Sequence, residues 1–210
     1  MPTWLTLAIS CLALVVSGVT AWLTFFRKGR LAMTQPTTVF FGPDGPMFDR
    51  GKNKVYLRTL LYSTAKRGHV LESLYLSLHR NETKQNFNIW VYGDKGNLKR
   101  GSGLFVPQEG VTFDHHFLLP EDGANFSFLE GHYSLSVFAR QVGQRVATEL
   151  LTIRLSIGES QAKALSEPRT GIYFDYGPDH QSYHAHVQHR PRVDPEQERL
   201  LQLFRDKGAG

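Results

Sequence analysis

Residues 4–26 read WLTLAISCLALVVSGVTAWLTFF and carry no charged side chain. As a helix this run covers roughly 34 Å, enough for a hydrocarbon core of about 30 Å. Core helices of soluble proteins are rarely so long and so uniformly apolar. In lipid every backbone N–H and C=O must be paired, and a single helix does this internally. Trp4 and Trp22 stand near its ends, where amphipathic rings favour the headgroup region. A secretion signal would have a basic start, a shorter apolar middle and a small-residue cleavage site. Here the start is MPT, and a cluster of Arg27, Lys28 and Arg30 follows the run. The expectation is therefore a retained anchor over residues 1–30 in the lipid bilayer of the cell membrane. Lys and Arg beside a span stay on the cytoplasmic side. That orients the N-terminus outward and everything after residue 30 toward the cytoplasm. Within the run, Ala13, Ser17 and Ala21 recur every four residues, the spacing of a helix–helix self-association face.

Roughly 180 of the 210 residues follow the anchor, enough for one domain and a tail with a core that needs no staples. The chain's single cysteine, Cys11, lies in the apolar run, so the rest can form neither a disulfide nor a thiolate zinc site. Of the net charge of +5, Arg27, Lys28 and Arg30 supply three, leaving +2 for the remainder. Binding nucleic acid through its phosphates needs a concentrated basic face, which this distribution excludes. Attraction to anionic lipid, about 1 kcal/mol per cation near the surface, accounts for the excess more simply.

Residues 38–157 alternate between short strand-like runs and turn signals such as Asp44-Gly45. Seven runs emerge, beginning TTVFF, KVYLR, SLYLS, FNIWV, VTFDH, GHYSL and ELLTI. Leu151, Ile153, Leu155 and Ile157 share one face of the last, and Tyr133, Leu135, Val137 and Ala139 one face of the sixth. Leu74, Leu76 and Leu78 do the same in the third. Such alternation predicts antiparallel sheets with one dry and one wet face, stacked as a β-sandwich over residues 31–158.

The stretch EDGANFSFLEGHYSLSVFA resembles the sixth-strand region of immunoglobulin-like domains. In that family a Gly and a Tyr precede an alternating strand, and the Tyr hydroxyl bonds back to nearby backbone. Tyr133 stands at that tyrosine, and Leu135 stands where the family has its second cysteine. The resemblance implies a sandwich of about seven strands and no particular function. This chain departs from it in lacking both cysteines. It departs again at Trp90, whose parity places it with Tyr92 on the face of Asn86 and Asn88, away from the core.

Two aromatics on a polar face make Trp90 and Tyr92 a candidate partner-binding spot, unless the loop GDKGNLKRGSGLFVPQEG covers them. His115 shares parity with Val111, Phe113 and Phe117 and should point inward, held neutral. A catalytic role there would need a nucleophile or second acid, and none is singled out. No phosphate-cradling loop, G-x-S-x-G, H-E-x-x-H or cofactor fingerprint occurs, so neither enzymatic activity nor a cofactor is expected. Asn81-Glu82-Thr83 and Asn125-Phe126-Ser127 match the glycosylation acceptor, which a cytoplasmic domain would not use.

Residues 159–192 read as an irregular tail rich in His and Tyr. His180, His184, His186 and His189 crowd together there, near Asp175 and Asp179. Neutral imidazoles bind zinc, copper or nickel, so a metal-binding role, with the domain on the outer side, is the alternative reading. Residues 193–207 predict a short helix, with Asp194 as N-cap, Pro195 in its first turn and Leu200 and Phe204 on its apolar side. The expected function is non-enzymatic: a membrane-anchored sandwich that binds or scaffolds an unidentified protein partner through Trp90/Tyr92, the tail, or Leu200/Phe204.

Overall fold

The structure, a computed structural model, describes residues 2–44, 53–94, 97–120 and 126–189. It is mainly β, with two antiparallel sheets, an apolar N-terminal helix and one further short helix. Helix α1 (Thr3–Ala21) runs on into a π-helical end at Trp22–Phe26. Then come β1 (Leu31–Met33), β2 (Thr38–Pro43), β3 (Asn53–Ser63), β4 (His69–Arg80), β5 (Thr83–Phe87), β6 (Ile89–Asp94) and β7 (Asn97–Arg100). They are followed by β8 (Leu104–Val106), β9 (Val111–Leu118), β10 (Gly131–Gln141), β11 (Thr148–Ile157), α2 (Glu159–Leu165), β12 (Thr170–Gly177) and β13 (Ser182–His189).

The stretch Thr3–Phe26 is long and apolar enough to cross a membrane, with a mean hydropathy of 2.0 and nothing in it buried. A secretion signal shares those properties. Two hydroxyls of this helix are satisfied internally: Ser10 Oγ donates to the carbonyl of Thr6 and Thr20 Oγ1 to that of Val16. This is the arrangement hydrocarbon demands of a hydroxyl.

The larger sheet has the order β13-β12-β2-β3-β9-β6-β7, with β1 pairing the end of β3. The smaller has the order β11-β10-β4-β5, with β8 pairing β4. The alternating residues fall as expected: Leu135, Val137, Ala139, Ile153, Leu155, Ile157, Leu74, Leu76 and Leu78 are buried. They meet Val39, Phe41, Val55, Leu57, Phe117, Ile172 and Phe174 of the larger sheet in one core. Tyr133 makes the bond expected of it, its hydroxyl donating to the Leu129 carbonyl at 2.6 Å and accepting from the Leu129 N–H at 2.8 Å.

The seven expected strands are β2, β3, β4, β6, β9, β10 and β11, but thirteen are present among the described residues. Two of the additions correct the reading of the tail. Residues 159–192 were expected to be irregular, yet α2 and the β12–β13 hairpin lie there. The reason is tertiary. Ile172 and Phe174 bury themselves in the core because β12 finds the free edge of β2, pairing Ile172 with Phe41 and Asp175 with Thr38. Pro178, which reads as a strand breaker, sits in the turn between the two strands.

Removing the Tyr133 hydroxyl leaves the Leu129 N–H and carbonyl without that partner. Tyr133→Phe is expected to lower unfolding free energy by about 1–3 kcal/mol, measured by denaturant titration of the full chain in detergent.

Candidate functional site

The β12–β13 hairpin carries the tail histidines. Along β12, Ile172 and Phe174 point into the core, so Tyr173 and Asp175 point out. β13 pairs only the outer side of β12 and is the outermost strand of the larger sheet among the described residues. Tyr183 clamps it: the hydroxyl donates to the Pro36 carbonyl at 2.8 Å and accepts from Gln35 Nε2 at 3.1 Å. Burial pushes this phenol well above its ordinary range, so it stays a donor.

On the outer face Phe40 packs tilted against Tyr173 at 4.6 Å, and Tyr173 stacks on His186 at 5.5 Å. Phe40 lies over the Gly42 and Gly171 backbones, where an added Cβ would meet its ring at 2.5 and 2.2 Å. Asp175 accepts from Thr38 Oγ1 at 3.0 Å and lies 3.3 Å from His186 Nδ1. At the turn His180 lies 3.3 Å from Asp179. At the far end His189 Nδ1 is 3.0 Å from Thr170 Oγ1. His184, His186 and His189 are therefore strung along β13 at roughly 3.3 Å per residue, with His180 in the turn before it, and His180, His186 and His189 each lie beside a different partner. Among the described residues, no group of three or more His, Cys, Asp or Glu is placed to hold a metal ion.

Trp90 is corrected. It was expected on the surface with Tyr92, but it is only 3% exposed and belongs to the core. Phe87 ends β5 in the smaller sheet and Ile89 begins β6 in the larger one. The chain crosses between sheets at Asn88, and that crossing resets which residues face inward. The loop after β7 then covers the pair. Gly101 N–H donates to the Trp90 carbonyl at 2.7 Å, and the Tyr92 hydroxyl donates to the Gly103 carbonyl at 3.3 Å. Tyr92 is half-buried, stacked on Trp90 at 4.8 Å. Leu200, Phe204 and the helix expected over 193–207 lie outside the described residues.

His115 points inward as expected and is fully buried. Trp90 Nε1 donates to its Nδ1 at 3.1 Å, so the proton of the neutral ring sits on Nε2. Burial, helped by His116, pulls its pKa down to about 3. His116 is drawn down to about 4 by burial first and then by the Lys54 ammonium. His115 thus works as a neutral acceptor for a core tryptophan. Sequence reasoning missed the Tyr183 clamp, whose partners Gln35 and Pro36 are distant in the chain.

Compared with models of known families, with curated proteins and with solved structures, the chain matches none.

Both histidines bind a proton in the unfolded chain near 6.5 but resist it when folded. The unfolded state therefore takes up more protons as pH falls below 6.5, and stability drops in that direction. His115 alone is expected to contribute a slope of about 1.4 kcal/mol per pH unit. Denaturant midpoints between pH 6.5 and 5 should show the decline. His115→Gln, whose amide oxygen can still accept from Trp90, should roughly halve it, leaving the share of His116.

Proposed function

We infer that this chain is a non-enzymatic single-pass membrane protein, presenting an immunoglobulin-like sandwich to the cytoplasm and holding a protein partner at the membrane surface. The anchor rests on the wholly unburied Thr3–Phe26 helix, and the orientation on Arg27, Lys28 and Arg30 beside its end. The observation that carries partner binding is the β13 edge. It offers eight residues of extended backbone, and Ser182, His184, Ala185, His186, Gln188 and His189 are exposed along it. A peptide strand of the partner can add to such an edge through main-chain hydrogen bonds. The Tyr173/His186 stack beside it supplies aromatic contact. Trp90 plays no part in this surface, since it is buried.

Two measurements test this reading. The intact chain is expected to remain in vesicles through an alkaline wash, and a C-terminal reporter to be active only on the cytoplasmic side. A photo-crosslinker at Gln188 should give a discrete adduct in native membranes, and one at exposed Lys84 on β5 should not. Equal adducts at the two positions, or none, would remove the β13 edge as the binding site.

A further inference from the structure

Outside the helix, the exposed large apolar side chains among the described residues are Val70, Leu98, Phe105, Leu129, Val142 and Val146. Val70, Phe105, Val142 and Val146 gather at one end of the body. That end is where β3 turns into β4 and β10 into β11. His69 pairs with Val106, Gln141 with Leu71, and Val142 N–H donates to the Val70 carbonyl. Their exposures are 46% for Val70, 56% for Phe105, 63% for Val142 and 76% for Val146. The turns that carry them also expose Lys66, Arg67 and Arg145.

The helix leaves the body at this same end. Leu31 pairs with Ser63, Arg30 N–H donates to Thr64 Oγ1 at 2.7 Å, and Thr64 N–H donates to the Arg30 carbonyl at 2.9 Å. Gly29, at φ +64, packs so closely that an added Cβ would meet Ala65 at 2.6 Å. Only residues 27–30 separate the apolar helix from this clamp. Four residues reach at most about 14 Å, and the headgroup layer on each side is roughly 5–8 Å deep. The clamp can therefore stand no more than roughly 6–9 Å beyond the headgroups of a bilayer that the helix enters, which keeps the rim beside that surface.

We propose that this rim is a second membrane contact, with Phe105, Val142 and Val146 dipping into the interface and Lys66, Arg67 and Arg145 meeting anionic headgroups. The proposal rests on the reading of α1 as an anchor. An open cleft of about 1240 Å³, lined by Arg27, Lys28, Arg30, Arg67, Phe105 and Val142 among others, lies between the helix exit and the rim. Arg27, Lys28, Arg30 and Arg67 in its lining offer charge to a phospholipid headgroup, and Val70, Phe105 and Val142 offer apolar surface to the first part of its chains. The acids at this end weigh little against the cations. Glu72 is paired with Arg140 at 2.6 Å, and the remaining carboxylates, Glu149 in the cleft lining and Glu109 on the nearby turn, face Arg27, Lys28, Arg30, Lys66, Arg67 and Arg145. Two attachments, a span and a rim, hold the sandwich upright. The opposite end, at the Asn81–Glu82 turn, is then roughly 36 Å farther from the membrane along the twelve residues of β4.

The test uses the full chain with Cys11→Ser, so that one introduced thiol carries an environment-sensitive fluorophore. Val146→Cys and, separately, Val142→Cys report on the rim, and Glu82→Cys on the opposite end. Each is reconstituted in nanodiscs of phosphatidylcholine, with and without phosphatidylserine, with bromine on the upper acyl chain. The rim labels are expected to emit to the blue of the control and to be quenched by bromine. Quenching should rise with phosphatidylserine and fall when Lys66, Arg67 and Arg145 are all changed to Gln. Water-like, unquenched emission at both rim positions, in discs that retain the chain through an alkaline wash, overturns the proposal. Quenching indifferent to phosphatidylserine overturns its headgroup part. A chain stripped by the wash overturns the anchor reading instead.

Discussion

The body of this protein depends on the exclusion of water from between two sheets. Phe41, Phe87, Phe117 and Phe174 are fully buried, with Leu57, Leu61, Leu71, Leu74, Leu76, Leu135 and Ile172 around them. Apolar area removed from water stabilises by about 25 cal/mol per Å², and truncating one such leucine to alanine typically costs about 2–5 kcal/mol. Among the described residues, His115 is the one fully buried side chain of that size that can ionise. It survives there because it is neutral and because Trp90 needs an acceptor. Their hydrogen bond ties β6 to β9, the two strands that carry the sheet toward β7.

The sheets are joined by crossings, and the crossings decide what is inside. β5 and β6 are separated by Asn88 alone, yet they belong to different sheets. Phe87 and Trp90 can both be buried only because the strand alternation restarts there. At the other side of the larger sheet, β12 closes over the edge that β2 leaves free and moves the exposed edge out to β13. A histidine-rich strand thereby becomes the outermost one of the larger sheet among the described residues. Its histidines end up in a row rather than in a cluster.

The helix exit and the rim share one physical logic. Residues 27–30 are too few to act as a tether, and the paired bonds between Arg30 and Thr64 fasten them to the β3–β4 turn. Under the proposed anchoring, one end of the body faces the headgroups and the other the compartment beyond. Antiparallel pairing with β2 sets both chain directions within the hairpin. The β12–β13 turn lies toward the Thr38 end of β2, and His189, the last described residue, lies toward the far end.

The sequence by itself determined what a periodic pattern can carry. An uncharged run specifies the apolar helix, and period-two alternation specifies β4, β10 and β11 with their inward faces. The glycine-tyrosine signal placed Tyr133 in its bond to Leu129, because donor and acceptor lie four residues apart. Tertiary structure decided the rest. The pairing of β12 with β2 joins residues as far apart as Thr38 and Asp175, and no local pattern reports a remote free edge. Trp90 was misplaced because alternation holds only within one sheet. Val142 and Val146 sit in a turn, where apolar residues follow no period, and their shared position beside the helix exit exists only once β1 has paired with β3. Local periodicity is written in neighbouring residues; edges, crossings and rims arise from contacts between distant ones.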